Sequence, residues 1–417
     1  MKLQINKFYV NDIQFAGKTE FRAGILTINY HELSDIALSL GYESVSLEIA
    51  RPGENCRIVH IMDIVQPRWK PNRPFAYSGA CGSVPYAAGE NVTHVLDGMA
   101  IIQTGVTEGI QEGIIDMSGT GAKYSIFSQT INLVINGTFS RELTREEYDR
   151  MQRDCLFHIS NYLAAATQAA MPDQIEEYDW KLVDQTNTEL PRIGYVYHVQ
   201  AQGSLRDTFV YGASARNTLP FFMSPLEVLD GAIQSGNYVI ACNKNPTYLH
   251  VLNPIVTELL ERHGRELHFV GIVVTTEYSN LIDKTRSATL VANMLGSLGA
   301  DGAIVTKEGG GHADTDLMLV SEACNQHGIK TTLIVNESAG SNGDMPPLID
   351  FHESADGIVT MGNNDAVIHL DTVSRVLGGD SLQGMAANPH DCLSLPLAKI
   401  YASTNPLGVS PMTCIEN

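Results

Sequence analysis

Cys242 stands in the run Ala241-Cys242-Asn243-Lys244-Asn245-Pro246, with Lys244 two residues on and His250 beyond a polar turn. A thiol so placed becomes a nucleophile when a cation lowers its pKa or an imidazole moves its proton. The apolar residues 238–240 before it predict a strand over 238–242 that presents the cysteine at its carboxyl end. In parallel α/β sheets, ligands bind beyond such strand ends. The plainer reading is a small core residue, because free cysteine is among the most buried residue types.

Two glycine-rich loops carry the other candidates. Residues 308–316 read Glu-Gly-Gly-Gly-His-Ala-Asp-Thr-Asp, between a strand ending at Thr306 and a helix expected from about Thr315. The glycines free backbone amides to meet an anion at the helix start. The plain alternative is a tight turn with Asp314 as N-cap. His312, Asp314 and Asp316 have ligand chemistry but no recognised metal spacing, and neither a Walker loop nor GxGxxG is present. Residues 111–121 hold Glu112 and Asp116 among three glycines, as a substrate site or as a surface connection. His198 closes a strand that runs into a polar loop. Cys155 and His158 read as packing residues of a helix. We take Glu112, Asp116, His198 and His312 as candidate substrate-binding residues, and expect no metal site.

These residues need elements to hold them. Up to about residue 140, short Val-, Ile- and Leu-rich runs (21–30, 43–50, 57–65, 131–135) alternate with Gly, Pro and Asn, which predicts a β-rich region. Thr144 and Glu147 form a capping-box pattern before a helix whose apolar positions recur from Tyr148 to Ala166. From Arg192 onward strands and helices alternate. Strands are expected at 193–199, 267–275, 302–306, 330–336 and 357–361. Helices are expected after Asn253-Pro254, at 281–298 and at 315–326. Strands apolar on both faces imply a mainly parallel sheet flanked by helices. The fold class is α/β with a β-rich N-terminal region. The divisions fall at 1–185, 186–375 and an irregular 376–417.

Composition narrows the function. The chain has 417 residues, 27 Lys plus Arg against 47 Asp plus Glu, and a net charge of −20. That surface repels phosphate backbones and argues against nucleic-acid binding. Hydrophobic residues at 44% and charged residues at 18% fit a folded chain. No run of about 18 apolar residues is present to span a membrane. The first residues, Met1 to Lys7, alternate without the apolar core of a signal peptide. Seven widely spaced cysteines with no CxxC fit reduced thiols in the cytoplasm.

Several segments together are similar to one family. The run 236–248 around Cys242 resembles the processing site of the component B precursors of glycine, sarcosine and betaine reductases, with D-proline reductase a more distant relative. Residues 12–15, 50–54, 111–119, 207–212, 229–233 and 314–317 match in the same order. The resemblance thus covers most of the chain. Within it Tyr238, Ile240, Asn243, Pro246 and His312 stand as departures.

The resemblance implies that the chain cuts itself between Ala241 and Cys242, leaving 241 residues and a second piece of 176, which is 417 less 241. It implies that Cys242 becomes a pyruvoyl group, an electrophilic carbonyl that condenses with an amine and draws electrons from it. Neither a nucleotide nor a metal is then expected. The reaction implied is reductive C–N cleavage of a small amine. A companion subunit with a selenocysteine or cysteine takes the carboxymethyl group and passes it to a selenoprotein carrier, and thioredoxin supplies electrons. A hetero-oligomer follows. Lys244 and His250 are helpers on grounds of proximity in sequence. Two other readings remain open: an uncleaved scaffold or substrate-binding subunit with Cys242 an ordinary thiol, and a metal- or phosphate-dependent enzyme built on 309–316.

Overall fold

A computed structural model of the chain describes residues 1–106, 112–139, 142–182, 189–201, 208–236, 241–409 and 412–414. Most of the expected strand 238–242 lies outside them, and its described end, Ala241 and Cys242, sits in a bend and turn.

The N-terminal region is built on two four-stranded sheets. In one, the alternation after Met1 becomes the strand Lys2–Tyr9, parallel to Asn91–Asp97 and antiparallel to Gln174–Asp179. In the other, Ile131–Phe139 lies between Tyr42–Ala50 and Met99–Thr104. The helix Arg145–Ala165 opens on the expected capping box of Thr144 and Glu147. It buries Cys155, Leu156, Ile159 and Leu163 in the core that also holds Phe8, Leu96, Ile101 and Leu133. Two expected runs break in the structure. Residues 21–30 divide into Glu20–Arg22 and Ile25–Ile28 at Ala23 and Gly24, both with positive φ. Residues 57–65 divide at His60, φ 57°, into Cys56–Ile58 and Ile61–Val65.

The second half forms a seven-stranded sheet in the order Phe221–Met223, His268–Thr276, Arg192–Val199, Gly302–Thr306, Lys330–Glu337, Gly357–Asn363, Thr413–Cys414. The five central strands run parallel and the two outer ones antiparallel. Tyr195, Tyr197 and Val199 pack on one face with Val256 and Leu259 of the helix Pro254–Arg262. Val196 packs on the other, with residues of the helices Leu281–Ser297 and His312–Gln326. Burial on both faces is why these strands read as continuous apolar runs. The sheet order reverses about Arg192–Val199, and the crevice above such a switch point is where α/β sheets bind ligands.

Two details differ from expectation. The helix after the glycine loop starts at His312, with Gly311 as its N-cap. Gly311 has φ 72°, which turns the chain into the helix early and puts Asp314 in the first turn. Asp314 there pairs with Lys307 and accepts a hydrogen bond from the Ile349 amide at 3.0 Å. The last segment also returns to the first region. Arg375–Leu377 runs parallel to Cys56–Ile58, and Ile400 bridges Ile114.

Candidate active site

Four parts of the chain meet at Cys242. The turn that holds it is residues 241–246, and Pro246 then starts the short helix Thr247–Val251 by accepting from the Leu249 and His250 amides. The C-terminal segment grips this turn. The Ala402 amide donates to the Ala241 carbonyl at 2.8 Å, and the Thr404 amide to the Cys242 carbonyl at 2.9 Å. The Asn405 side chain donates to the Lys244 carbonyl and to Asn245 Oδ1, both at 2.6 Å. The Lys244 amide adds a longer contact, 3.4 Å, to the Ala241 carbonyl. Two N–H groups therefore meet the carbonyl of the Ala241–Cys242 bond, the arrangement that stabilises a developing oxyanion. Ala402 reaches it at φ 59°, a backbone conformation costly for alanine.

The Cys242 side chain is fully buried. Burial pushes its thiol up to about 11, partly offset by a hydrogen bond with the Thr404 side chain. Lys244 is buried too, and its ammonium donates to the Gly236 carbonyl. Burial lowers its pKa, against the attraction of Asp63, Glu308 and Asp149. Asp63 comes from the N-terminal region and accepts from the Thr247 amide at 3.0 Å and the Thr247 hydroxyl at 2.7 Å.

The sheet supplies the fourth part. Glu308 accepts from the Asn245 amide at 2.9 Å and the Gln200 amide at 3.4 Å, tying the turn to the switch point. Burial pushes its carboxyl up to about 7. His250 Nδ1 lies 2.7 Å from the Tyr197 hydroxyl, while Nε2 has no hydrogen-bond partner. Burial and then Lys244 push His250 down to about 3, so its ring is neutral. Cys242, Lys244 and His250 are all buried in or just after this turn, and Lys244 acts on His250, but Thr404, not either of them, bonds the Cys242 thiol.

The other candidates divide. His198 lies buried near this sheet edge, pushed down to about 3 by burial, Lys284 and Lys307, with both ring nitrogens unpartnered. Gln200 and Asn243 also have unpartnered amide atoms, beside Gly309 and Gly310 respectively. His312 is exposed, and its carbonyl accepts from Lys284. Glu112 accepts from the amides of His60 at 2.6 Å, Gly113 at 3.1 Å and Gln383 at 2.6 Å, with His60 Nδ1 at 2.9 Å. Asp116 is gripped by Arg57 through two bonds of 2.6 and 2.9 Å. These two carboxylates brace the loop whose Gly113 packs against Ala241. Sequence reasoning missed Asp63 and residues 402–405, whose only signal is contact made across the whole chain.

Among the described residues no group of three or more His, Cys, Asp or Glu is placed to hold a metal ion, and no helix is long and apolar enough to cross a membrane. The residues fit a pyruvoyl precursor instead: a cysteine, a preceding carbonyl held by two N–H donors, and a closed surround.

Known proteins resemble the chain over almost its whole length. The chain is 37% identical over 98% of both lengths to the glycine reductase complex component B subunits alpha and beta of Peptoclostridium acidaminophilum. It is 35% identical to that organism's sarcosine reductase complex component B subunit alpha, over 99% of both. A D-proline reductase proprotein of Acetoanaerobium sticklandii is 21% identical over 85% of the chain and 59% of its own length. No solved structure matches. The model of glycine/sarcosine/betaine reductase component B subunits matches residues 1–414, and the chain belongs to that family.

Proposed function

We propose that the chain is the pyruvoyl-forming subunit of a reductase that cleaves a C–N bond in a small amino acid or N-methylated amine. The observation that carries this is the Ala241 carbonyl, met by the Ala402 and Lys244 amides and followed directly by a buried thiol. Cys242 Sγ attacks that carbonyl carbon. The C–S bond forms, the C–N bond breaks, and the thiol proton passes to the freed nitrogen. Loss of the Cα proton then expels the sulfur on Ala241 as a thiocarboxylate. One water converts the remaining enamine to a ketoacyl cap and releases ammonia.

Lys244 and His250 are the proposed proton carriers of these steps. Burial lowers the affinity of both for a proton, so each gives a proton up more readily than the free side chain does. The pyruvoyl carbonyl supplies an electron sink for a bound amine. Around it, Glu308 and Asn405 hold the turn, and the clamp from residues 402–405 excludes water. The relatives' names as complex components support a hetero-oligomer. The proposed partners are a selenocysteine- or cysteine-bearing companion and a selenoprotein carrier, with thioredoxin as electron donor in the cytoplasm.

One observation favours the competing reading of an uncut scaffold: a thiol pushed up to about 11 is protonated at rest. Intact mass under denaturing conditions, with and without phenylhydrazine, separates the two. The expected result is two pieces split at 241/242, the smaller lighter than its sequence mass and labelled by the reagent. Cys242→Ala stays whole, and Cys242→Ser is cut more slowly. A chain that stays whole and unlabelled even when co-produced with its companion subunit ends the pyruvoyl reading.

A further inference from the structure

The helix Arg145–Ala165 carries Glu146, Asp149, Arg150, Arg153 and Asp154 at three- and four-residue steps. Such a charged stripe normally faces solvent. Here it lines a cavity of about 480 Å³, closed on other sides by Cys81, Phe209, Arg216 and Gly236. Arg153 is the anomaly within it. The residue is 8% exposed. Among the described residues it makes no hydrogen bond and no salt bridge, its Nε is a buried donor without a partner, and Asp154, Asp63 and Asp149 attract it only through space. Its guanidinium lies 3.5 Å from the centre of the Phe209 ring. Burying an unpaired charge costs several kcal/mol, so it persists where a ligand completes it. A planar fork stacked on an aromatic ring is shaped for a two-oxygen anion.

One wall of the cavity is tightly packed backbone. Gly79 and Gly212 line it with backbones in contact, where a Cβ on Gly79 would meet the Tyr211 carbonyl oxygen at 2.1 Å. Its wall at Gly236 is the residue whose carbonyl receives the Lys244 ammonium, which links the cavity to the Cys242 turn. The acids Glu146, Asp149 and Asp154 on the same helix face oppose a ligand's cationic end.

We infer that this cavity binds the amine substrate as a small zwitterion, with its carboxylate on Arg153 and its ammonium toward the acids of the helix. The carboxylate site stands on the geometry alone. Its assignment to the substrate rests on the proposed function. Arg153 is then a binding residue and takes no part in self-cleavage.

The test titrates acetate, glycine and, as a control without a carboxylate, methylamine into the purified full chain by calorimetry. Wild type is expected to bind acetate and glycine and to ignore methylamine at the same concentrations. Arg153→Met is expected to weaken acetate about 100-fold. Arg153→Lys, which keeps charge but loses the fork, and Phe209→Leu, which loses the stack, should weaken it by about 10-fold or less. Arg153→Met should fold at least as well as wild type, since no partner is stranded, and should still be cut at 241/242. With the reductase complex assembled, it raises KM while kcat holds. Acetate binding that survives both Arg153 variants overturns the carboxylate site, as does a wild type that binds neither acid. A wild type that binds acetate through Arg153 yet stays uncut even when co-produced with its companion subunit ends the pyruvoyl reading and leaves the site standing.

Discussion

The chain has two loops rich in glycine and acid, and the fold uses them oppositely. In residues 112–121 the acids are gripped, Glu112 by three backbone amides and Asp116 by Arg57, which offsets the upward push of burial on Asp116. In residues 308–316 burial leaves charge unsettled. Glu308 is pushed up to about 7 and Asp316 to about 6, and the neighbouring Gln200 and Asn243 keep unpartnered amide atoms. Residue type is the same in both. What differs is the kind of donor: Asp116 meets a guanidinium fork, while Glu308 meets two backbone amides, and elements distant in sequence set both. The first loop is frame, and the second is the place where protonation can change.

Breaking the frame should have the largest effect. Asp116→Asn takes the carboxylate from buried Arg57, leaving it the Pro389, Asp391 and Asp371 carbonyls, and is expected to cost about 3 kcal/mol in urea unfolding. Whatever stays folded should still be cut at 241/242, because Asp116 does not touch that bond. Replacing both partners, Arg57→Met with Asp116→Leu, should recover only part of the loss, because the Pro389, Asp391 and Asp371 carbonyls then lose their donor. If Asp116→Asn blocked cleavage in fully folded protein, the loop would be part of the chemistry and the contrast would fail.

The second loop should reveal itself through pH. Glu308 titrates from an ordinary 4.5 up to about 7 on folding. Below pH 4.5 it is protonated in both states and costs nothing. As pH rises toward and past 7 the unfolded chain gives up the proton first. The folded state then loses about 3 kcal/mol relative to the unfolded one. Glu308→Gln should remove that slope. It also gives up one of the two amide contacts, a constant offset of about 1 kcal/mol. Unfolding midpoints of both proteins at pH 5 and pH 8 check this. Parallel profiles would show that Glu308 is not held protonated.

How much of this was readable depends on distance along the chain. The parallel sheet was, since His268–Thr276 is buried at every position and Asn253 and Thr144 cap their helices with local bonds. The first region was harder. Its breaks fall at Ala23 and His60, non-glycine residues held at positive φ by tertiary contacts. Cys242 was singled out by the resemblance, while its residue type alone favoured a core position, and the clamp on its turn was not legible at all. Nothing in Ala402-Ser403-Thr404-Asn405 announces that it holds a turn far back in the chain. Arg153 was hidden for the opposite reason, because its charged stripe looks like any solvated helix face.

Ala402 joins the first loop to the Cys242 turn and gives the finest test of the contrast. Tyr401 donates its amide to Ile114 in the braced loop, and Ala402 then donates to the Ala241 carbonyl. The chain makes that step by holding Ala402 at φ 59°. Ala402→Gly relaxes the strain and keeps the N–H, and glycine's greater freedom when unfolded offsets part of the gain. Stability should rise by no more than about 1 kcal/mol, and the rate of cleavage at 241/242 should hold. If the strain itself drives the cut, the relaxed variant folds better and is cut more slowly. Ala402 would then belong with the second loop, as stored strain, and not with the frame.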